Sequence, residues 1–174
     1  MHDRWPIPSL GRHMAPLTSD LHSSKPGRRI VVGFDGSTLS HLAVDYLAQQ
    51  ARPEDVVVIV HAWGSARTNG STNDDSLEAQ HRRSIGGAIL DTALSPTGPP
   101  LRAQHVLELR EGPATSALVA AAQEHDADFI VLGAAGVGSV ARGLGSVAKG
   151  VLERSERPVL VVPRLQREPH VSLA

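Results

Sequence analysis

The feature that most constrains the fold of this chain is a series of five short apolar runs, rich in β-branched residues and separated by segments with helical periodicity. The runs are Ile30 to Phe34, Val56 to Ala62, Val106 to Leu109, Phe129 to Leu132 and Val159 to Val162. Short apolar runs with little alternation are typical of strands in a parallel sheet that is covered on both faces. The third run lies within a stretch that alternates polar and apolar residues, which predicts an edge strand. The pattern therefore predicts an α/β fold with an open, doubly wound, five-stranded parallel sheet.

About four helices are predicted between these strands. In the first, one face carries the apolar residues Leu39, Leu42, Ala43, Tyr46 and Leu47. Ser37 or Thr38 is placed to cap this helix, and Pro53 ends it. The second predicted helix spans Leu77 to Leu94, although two glycines at 86 and 87 weaken it and Pro96 closes it.

The last two predicted helices differ in their packing faces. The third begins near Pro113 and has a stripe of small residues suited to close packing on a sheet: Ala117, Leu118, Ala121 and Ala122. The fourth follows Gly145 and Ser146, ends before Pro158, and is predicted to turn three residues inward: Val147, Val151 and Leu152.

The length of 174 residues suits one compact domain with additional residues at both ends. Residues 1–27 contain four prolines among polar residues and show no useful periodicity, which predicts a disordered N-terminal tail. We therefore expect one domain over residues 28–164 and a flexible C-terminal tail over residues 165–174.

Composition and charge exclude several classes of function. With 17 basic and 18 acidic residues and only 3% aromatic residues, the chain has neither a basic stripe nor a stacking platform for nucleic acid. It has no cysteine, and its nine histidines show no metal-ligand spacing, so no metal site is predicted. The longest apolar run is too short to cross a bilayer, and no apolar signal core precedes it, so we expect a cytoplasmic protein without a membrane partner.

Ligands of an open parallel sheet bind outside the carboxyl ends of its strands, where the strand order reverses. The segment Gly133 to Ser146 follows the fourth strand, contains five glycines and leads into a helix. The free N–H groups at that helix start favour an anion near Gly145 and Ser146, although glycine-rich segments also serve as plain connections. The segment matches neither the GxxxxGK[ST] phosphate loop nor GxGxxG.

Two further residues follow predicted strands. Asp35, after the first strand, could hydrogen-bond a ribose or a base, or could instead cap the first helix. His61 is expected near Asp35, and Ser37 or Ser146 could complete a triad with them, but no GxSxG segment supports this chemistry. No catalytic residue is therefore predicted.

Taken together, these segments resemble the universal stress protein family over Arg29 to Pro163. The resemblance lies in Arg-Ile-Val-Val-Gly-Phe-Asp-Gly-Ser at 29–37, Val-Ile-Val-His-Ala-Trp at 58–63, Asp-Phe-Ile-Val-Leu-Gly at 128–133 and Arg-Pro-Val-Leu-Val-Val-Pro at 157–163. It implies a Rossmann-like fold of the adenine nucleotide alpha hydrolase type with strand order 3-2-1-4-5. It also implies a homodimer, often formed through the last strand, here Val159 to Val162.

ATP-binding members of this family share a pattern of Gly, two residues, Gly, nine residues, then Gly and Ser or Thr. This chain has only eight residues in the longer interval. By resemblance, Asp35 and the backbone of Ala62 would hold adenine and ribose, with Gly33 leaving room beneath them. Ribose and phosphates of ATP or another adenine nucleotide, with or without Mg, would lie against Gly133, Gly136, Gly145 and Ser146. The shorter interval affects the triphosphate end more than the adenosine end.

The resemblance implies a stress-response protein that binds an adenine nucleotide and acts through dimerisation and partner contacts, with at most slow, incidental ATP hydrolysis. One alternative is a nucleotide-independent interaction module in which the glycine segment is structural. Another is an enzyme that acts on a phosphorylated or adenylylated small molecule, by analogy of fold alone.

Overall fold

The computed structural model of the chain describes residues 27–64, 77–94, 98–136 and 143–163. Strands and helices alternate along these residues. The elements are β1 (Arg29–Gly33), α1 (Thr38–Gln50), β2 (Val56–Trp63), α2 (Leu77–Asp91), β3 (Gln104–Glu111), α3 (Ala114–Glu124), β4 (Phe129–Gly133), α4 (Ser146–Arg154) and β5 (Val159–Val162). The predicted C-terminal tail and, apart from Gly27, the predicted N-terminal tail lie outside the described residues.

The five strands form one parallel sheet in the order β3-β2-β1-β4-β5. This confirms the predicted α/β fold and the strand order that the resemblance implies. β1 lies in the centre, with β2 on one side and β4 on the other, so the strand order reverses between β1 and β4. A crevice for a ligand is expected at the carboxyl ends of these two strands.

Alternate residues of the central strands face opposite helical layers. Ile30 and Val32 of β1 pack in a cluster with α1 and α2, whereas Val31 packs in a second cluster with α3 and α4. All three side chains are fully buried. The apolar run of β1 lacks alternation because the sheet is covered on both faces, as the sequence predicts.

The predicted cap of α1 is confirmed. The hydroxyl oxygen of Ser37 accepts a hydrogen bond from the backbone N–H of Ser40 at 3.2 Å. The helix ends at Gln50, ahead of Pro53. α2 ends earlier than predicted, at Asp91, and β1 ends at Gly33 rather than Phe34.

Three side chains that the helical pattern turns inward are exposed, and those predictions were wrong. Tyr46 is 40% exposed, because the buried face of α1 runs through Ala43, Val44 and Leu47 instead. Val147 and Leu152 of α4 are also exposed, since the buried residues of this helix are Ala148 and Val151. Within the described ranges, no helix is both long enough and apolar enough to span a membrane.

A buried ion pair closes the amino end of the sheet. The carboxylate of Asp55, which precedes β2, is fully buried and accepts hydrogen bonds from Arg28 through its backbone N–H (2.8 Å), Nε (3.1 Å) and Nη2 (2.5 Å). The backbone N–H of Arg52 donates a further bond at 2.9 Å. Burial raises the pKa of Asp55, but these donors lower it more, and the pKa falls to about 2.

Candidate functional site

A cavity of about 460 Å³ opens at the carboxyl ends of β1 and β4, at the point where the strand order reverses. This volume lies within the range of small-molecule sites in proteins. All seven residues predicted to hold a ligand line the cavity: Gly33, Asp35, Ala62, Gly133, Gly136, Gly145 and Ser146. Residues that lie more than 110 positions apart in the chain are thus brought to one place by the parallel sheet.

Asp35 forms the turn before α1 and lines the cavity, whereas the cap of α1 is Ser37. Oδ1 of Asp35 accepts a hydrogen bond from the backbone N–H of Ser37 at 3.0 Å, which fixes the turn before α1. Its other carboxylate oxygen, Oδ2, lies so close to Gly136 that a Cβ on this glycine would collide with it. The carboxylate therefore lies between the turn after β1 and the segment after β4, where it lines the cavity.

Two glycines of the cavity wall are closely packed against neighbouring residues. A Cβ on Gly33 would lie 2.5 Å from Cδ2 of Leu132 and 3.1 Å from Cδ1 of Leu118. A Cβ on Gly133 would lie 2.8 Å from the backbone carbonyl of Leu39. These glycines let α1 and α3 approach the sheet, so their presence alone is not evidence of a ligand.

The start of α4 supplies hydrogen-bond donors to the cavity. Gly145 caps the helix without a side-chain hydrogen bond, and its own N–H donates to the carbonyl of Ala134 at 2.7 Å. The first hydrogen bond within the helix runs from Lys149 N–H to the Gly145 carbonyl at 3.0 Å. The N–H groups of the first turn belong to residues 146–148, all of which line the cavity. They suit an anion, which the positive end of the helix dipole also favours.

His61 lies in the wall of the cavity and is buried. Its Nδ1 donates to the backbone carbonyl of Phe34 at 2.8 Å, and this bond joins the end of β2 to the turn that carries Asp35. The predicted proximity of His61 and Asp35 is therefore correct at the level of a shared cavity. The hydrogen bond shown for the imidazole goes to a backbone carbonyl and not to a serine hydroxyl.

Several lining residues were not identified from the sequence. Ser40 is buried one turn after Ser37, and its hydroxyl donates to the Ser37 carbonyl at 2.9 Å. The available signal in the sequence was the position of Ser40 three residues after the helix cap Ser37. Ala114 and Leu118 of α3 also line the cavity, and only the three-dimensional crossing of α3 over the sheet brings them there.

The charge of the cavity is low. Within the part of the chain that the structure describes, Asp35 is the one carboxylate in the lining, and neither Lys nor Arg lines it. The same described residues contain no group of three or more His, Asp or Glu side chains arranged to hold a metal ion. Among the described lining residues, the groups suited to an anion include the backbone N–H groups at the start of α4 and the Ser146 hydroxyl.

The chain resembles one known family both in sequence and in fold. The model of the Universal stress protein family matches residues 27–163. No curated protein matches the chain by sequence. A universal stress protein solved in complex with cAMP is 28% identical with a TM-score of 0.51, and the match covers 80% of this chain and 98% of that one.

Two further solved structures share the fold at lower identity. A protein of the universal stress protein family from Burkholderia pseudomallei is 24% identical, with a TM-score of 0.58 and coverage of 80% of this chain and 98% of that one. The universal stress protein UspA from Lactobacillus plantarum is 20% identical, with a TM-score of 0.56 and coverage of 78% and 97%.

Proposed function

This chain belongs to the universal stress protein family, and we propose that it binds an adenine nucleotide in the cavity between β1 and β4. The observation that carries the proposal is the convergence of all seven predicted residues on one cavity at the strand reversal. The similar protein in complex with cAMP supports a nucleotide as the class of ligand.

In this proposal, the two ends of the nucleotide meet different parts of the cavity. Asp35 and the backbone of Ala62 hold adenine and ribose, because a carboxylate accepts from hydroxyl or amino groups. The phosphate lies at Gly145 and Ser146, where the α4 N–H groups and the serine hydroxyl are donors. Gly133 and Gly136 allow the backbone to approach the ribose.

The test begins with protein purified and then denatured, so that any bound nucleotide is released and identified. Calorimetric titration with ATP, ADP, AMP and cAMP then measures binding to nucleotide-free protein. We expect Gly136→Val to abolish binding, because the new side chain displaces the Asp35 carboxylate. Gly87→Ala is the control, since a Cβ at Gly87 has no neighbour within 4 Å. Absence of both released nucleotide and saturable binding in the wild-type protein would refute the proposal.

We also propose that the protein forms a homodimer through β5, as the family resemblance implies. β5 is an edge strand, and its Leu160 is 37% exposed. Leu152 of the preceding helix α4 is 44% exposed, so both this strand and the helix before it expose an apolar side chain. Sedimentation velocity should give a dimer for the wild-type protein and a monomer for Leu160→Asp. The matched control is Val106→Asp on the opposite edge strand, where Val106 is 50% exposed. This variant should sediment with the mass of the wild-type dimer.

The cellular role that we propose is stress adaptation in the cytoplasm through contacts of the dimer with partner proteins, without rapid chemistry. ATP turnover by the wild-type protein should be slow. Fast turnover of ATP or of a phosphorylated metabolite that Asp35→Ala abolishes would instead favour an enzyme.

One observation favours a second candidate function, a nucleotide-independent interaction module. Gly33 packs closely against the side chains of Leu118 and Leu132, and Gly133 packs closely against the backbone of Leu39. The glycines therefore have a structural use even when no ligand binds. A dimer that binds no adenine compound would support this second function.

A further inference from the structure

The pairing of β1 with β2 stops before β2 ends. The paired register reaches Gly33 and Val60, and one more hydrogen bond follows, from the Phe34 N–H to the Val60 carbonyl at 2.9 Å. On its other side, β2 stays paired with β3 as far as Trp63. The last residues of β2 therefore extend past the end of β1 while β3 keeps them in the sheet.

The backbone groups of β2 face its two neighbouring strands in turn. The Val60 carbonyl accepts from the side of β1, whereas the Trp63 carbonyl accepts from Gly112, after β3, at 2.8 Å. Ala62 lies two residues after Val60, so its N–H and C=O face the side that β1 leaves. Ala62 also lines the cavity. If the two strands stayed paired, the next hydrogen bond would run from the Ala62 N–H to the Phe34 carbonyl.

The side chain of His61 supplies the hydrogen bond that this carbonyl accepts. The Phe34 carbonyl accepts from Nδ1 of His61 at 2.8 Å. Between the described residues of these two strands, no hydrogen bond runs from the Ala62 N–H to the same carbonyl. Helix α2 holds the buried imidazole in place, because a Cβ on Gly86 would lie only 3.2 Å from Cδ2 of His61. The pairing of β1 with β2 thus ends one hydrogen bond early, at the His61 ring.

We propose that His61 is a positioning residue of the cavity. Its ring binds the Phe34 carbonyl, ends the pairing of β1 with β2, and so leaves the N–H and C=O of Ala62 to the base of the ligand. Adenine has an amino donor next to a ring-nitrogen acceptor, which is the complement of a backbone carbonyl next to an N–H. This inference rests on the proposed nucleotide function and adds the side chain that keeps the base-binding backbone open.

Two substitutions separate the hydrogen bond of His61 from the space that its ring fills. His61→Leu fills space but has no donor, so the Phe34 carbonyl becomes free to accept from the Ala62 N–H. His61→Asn places an amide N–H at the position of Nδ1 and keeps the bond. Calorimetry should show adenosine affinity lowered by a factor on the order of ten in His61→Leu, and by less than about threefold in His61→Asn. His105→Leu is the matched control, because Nδ1 of His105 also contacts a backbone carbonyl, that of Ala103 at 3.3 Å, but His105 does not line the cavity.

The preference for adenosine over purine riboside distinguishes positioning from a general structural role. Purine riboside lacks the amino group that donates to the Ala62 carbonyl in this proposal. The wild-type protein should prefer adenosine by a factor on the order of ten, and the preference should fall towards one in His61→Leu and return in His61→Asn. A general loss of structure would weaken both nucleosides alike. The inference is overturned if the wild-type protein shows no preference, or if folded His61→Leu keeps it.

Hydrogen exchange of the Ala62 amide, followed by NMR, tests the same inference without a ligand. In the free wild-type protein this amide should exchange roughly tenfold or more faster than that of Val60, which is paired with β1. Adenosine should slow it, and His61→Leu should slow it without adenosine. Protection of the Ala62 amide in the free wild-type protein would overturn the inference, even if His61→Leu does not fold. If the wild-type protein binds no adenosine, the proposed function fails, and the exchange rates of the free proteins still decide whether His61 ends the pairing.

Discussion

Replacement of Asp55 by Asn should destabilise the protein in a manner that depends on pH. Asn keeps the shape of the side chain but loses the charge, so the Arg28 guanidinium faces a neutral amide. Removing one partner of a buried ion pair costs about 3–5 kcal/mol. The side chain of Arg28 is 34% exposed and can regain water, so we expect a cost at or just below the lower limit of that range, about 2 to 3 kcal/mol at pH 7.

The pH dependence follows from the lowered pKa of the wild-type carboxyl. In the unfolded chain Asp55 has its ordinary pKa of 3.8, and in the folded protein the pKa is about 2. A lowered pKa in the folded state stabilises the protein above the unfolded pKa, and this stabilisation is lost as the pH falls from about 4 to 2. The difference corresponds to roughly 2 kcal/mol.

Urea denaturation of both proteins at pH 7, 5, 4 and 3 measures this effect. The difference in unfolding free energy should stay constant from pH 7 to 5 and then narrow at pH 4 and 3. The matched control is Asp128→Asn at the same end of the sheet, where the exposed carboxylate accepts from the Arg29 N–H at 2.7 Å. That variant should lose less than about 1 kcal/mol. A difference for Asp55→Asn below about 0.5 kcal/mol, or one that does not change with pH, would refute the reasoning.

Three further predictions concern stability and can be checked by the same denaturation assay at pH 7. Gly86→Ala should destabilise the protein by about 1–3 kcal/mol, because the new Cβ would lie 3.0–3.2 Å from side chains of β2 and β3. Gly87→Ala should stabilise it by about 0.5–1 kcal/mol, because a Cβ at this position has no neighbour within 4 Å. Equal effects of the two substitutions would contradict the packing of α2. Gly133→Ala should cost more than Gly86→Ala, because the collision is with the backbone of Leu39, which cannot rotate away; a stable variant would show that α1 can move. Arg110→Met should cost about 1 kcal/mol at low salt and less at high salt, since Arg110 pairs with two carboxylates near the surface; a cost independent of salt would mean that packing, and not charge, is lost.

The order of elements was predictable from the sequence because each strand is a short apolar run between segments of helical period. The two-sided burial of β1 removes alternation, and few architectures besides a sheet covered on both faces produce this pattern. The charged side chains of β3 also fit the edge position. Glu108 and Arg110 form an ion pair with each other, and Arg110 also pairs with Glu124 of α3.

The inward faces of the outer helices were less predictable. Val147 and Leu152 are larger and more apolar than Ala148, yet Ala148 is the buried residue. The helical period identifies an apolar stripe on a helix, but it does not determine how the helix is rotated about its own axis. For α4, this rotation is set mainly by packing against α3. Close packing there selects small residues: a Cβ on Gly150 would lie only 2.9 Å from the Thr115 hydroxyl.

The candidate site was predictable where residues lie at or just beyond the carboxyl ends of strands. Asp35 and Gly133 are in this class, because parallel strands end at the same edge of the sheet. The contact between Asp35 and Gly136 was not predictable, since it depends on the path of two separate loops. The cavity-lining residues of α3 likewise required the three-dimensional structure.

The hydrogen bond between His61 and the Phe34 carbonyl makes the imidazole a natural spectroscopic label for the site. A carbonyl oxygen can only accept, so Nδ1 must carry a proton and the neutral ring has a single tautomer. In the protein without a ligand, the ¹⁵N chemical shifts of this neutral ring should therefore be those of a single tautomer. The hydrogen bond is accepted by Phe34, the residue before Asp35, so a ligand that moves this turn should change the ¹⁵N chemical shifts of His61. Occupancy of the cavity can then be followed without attaching a probe.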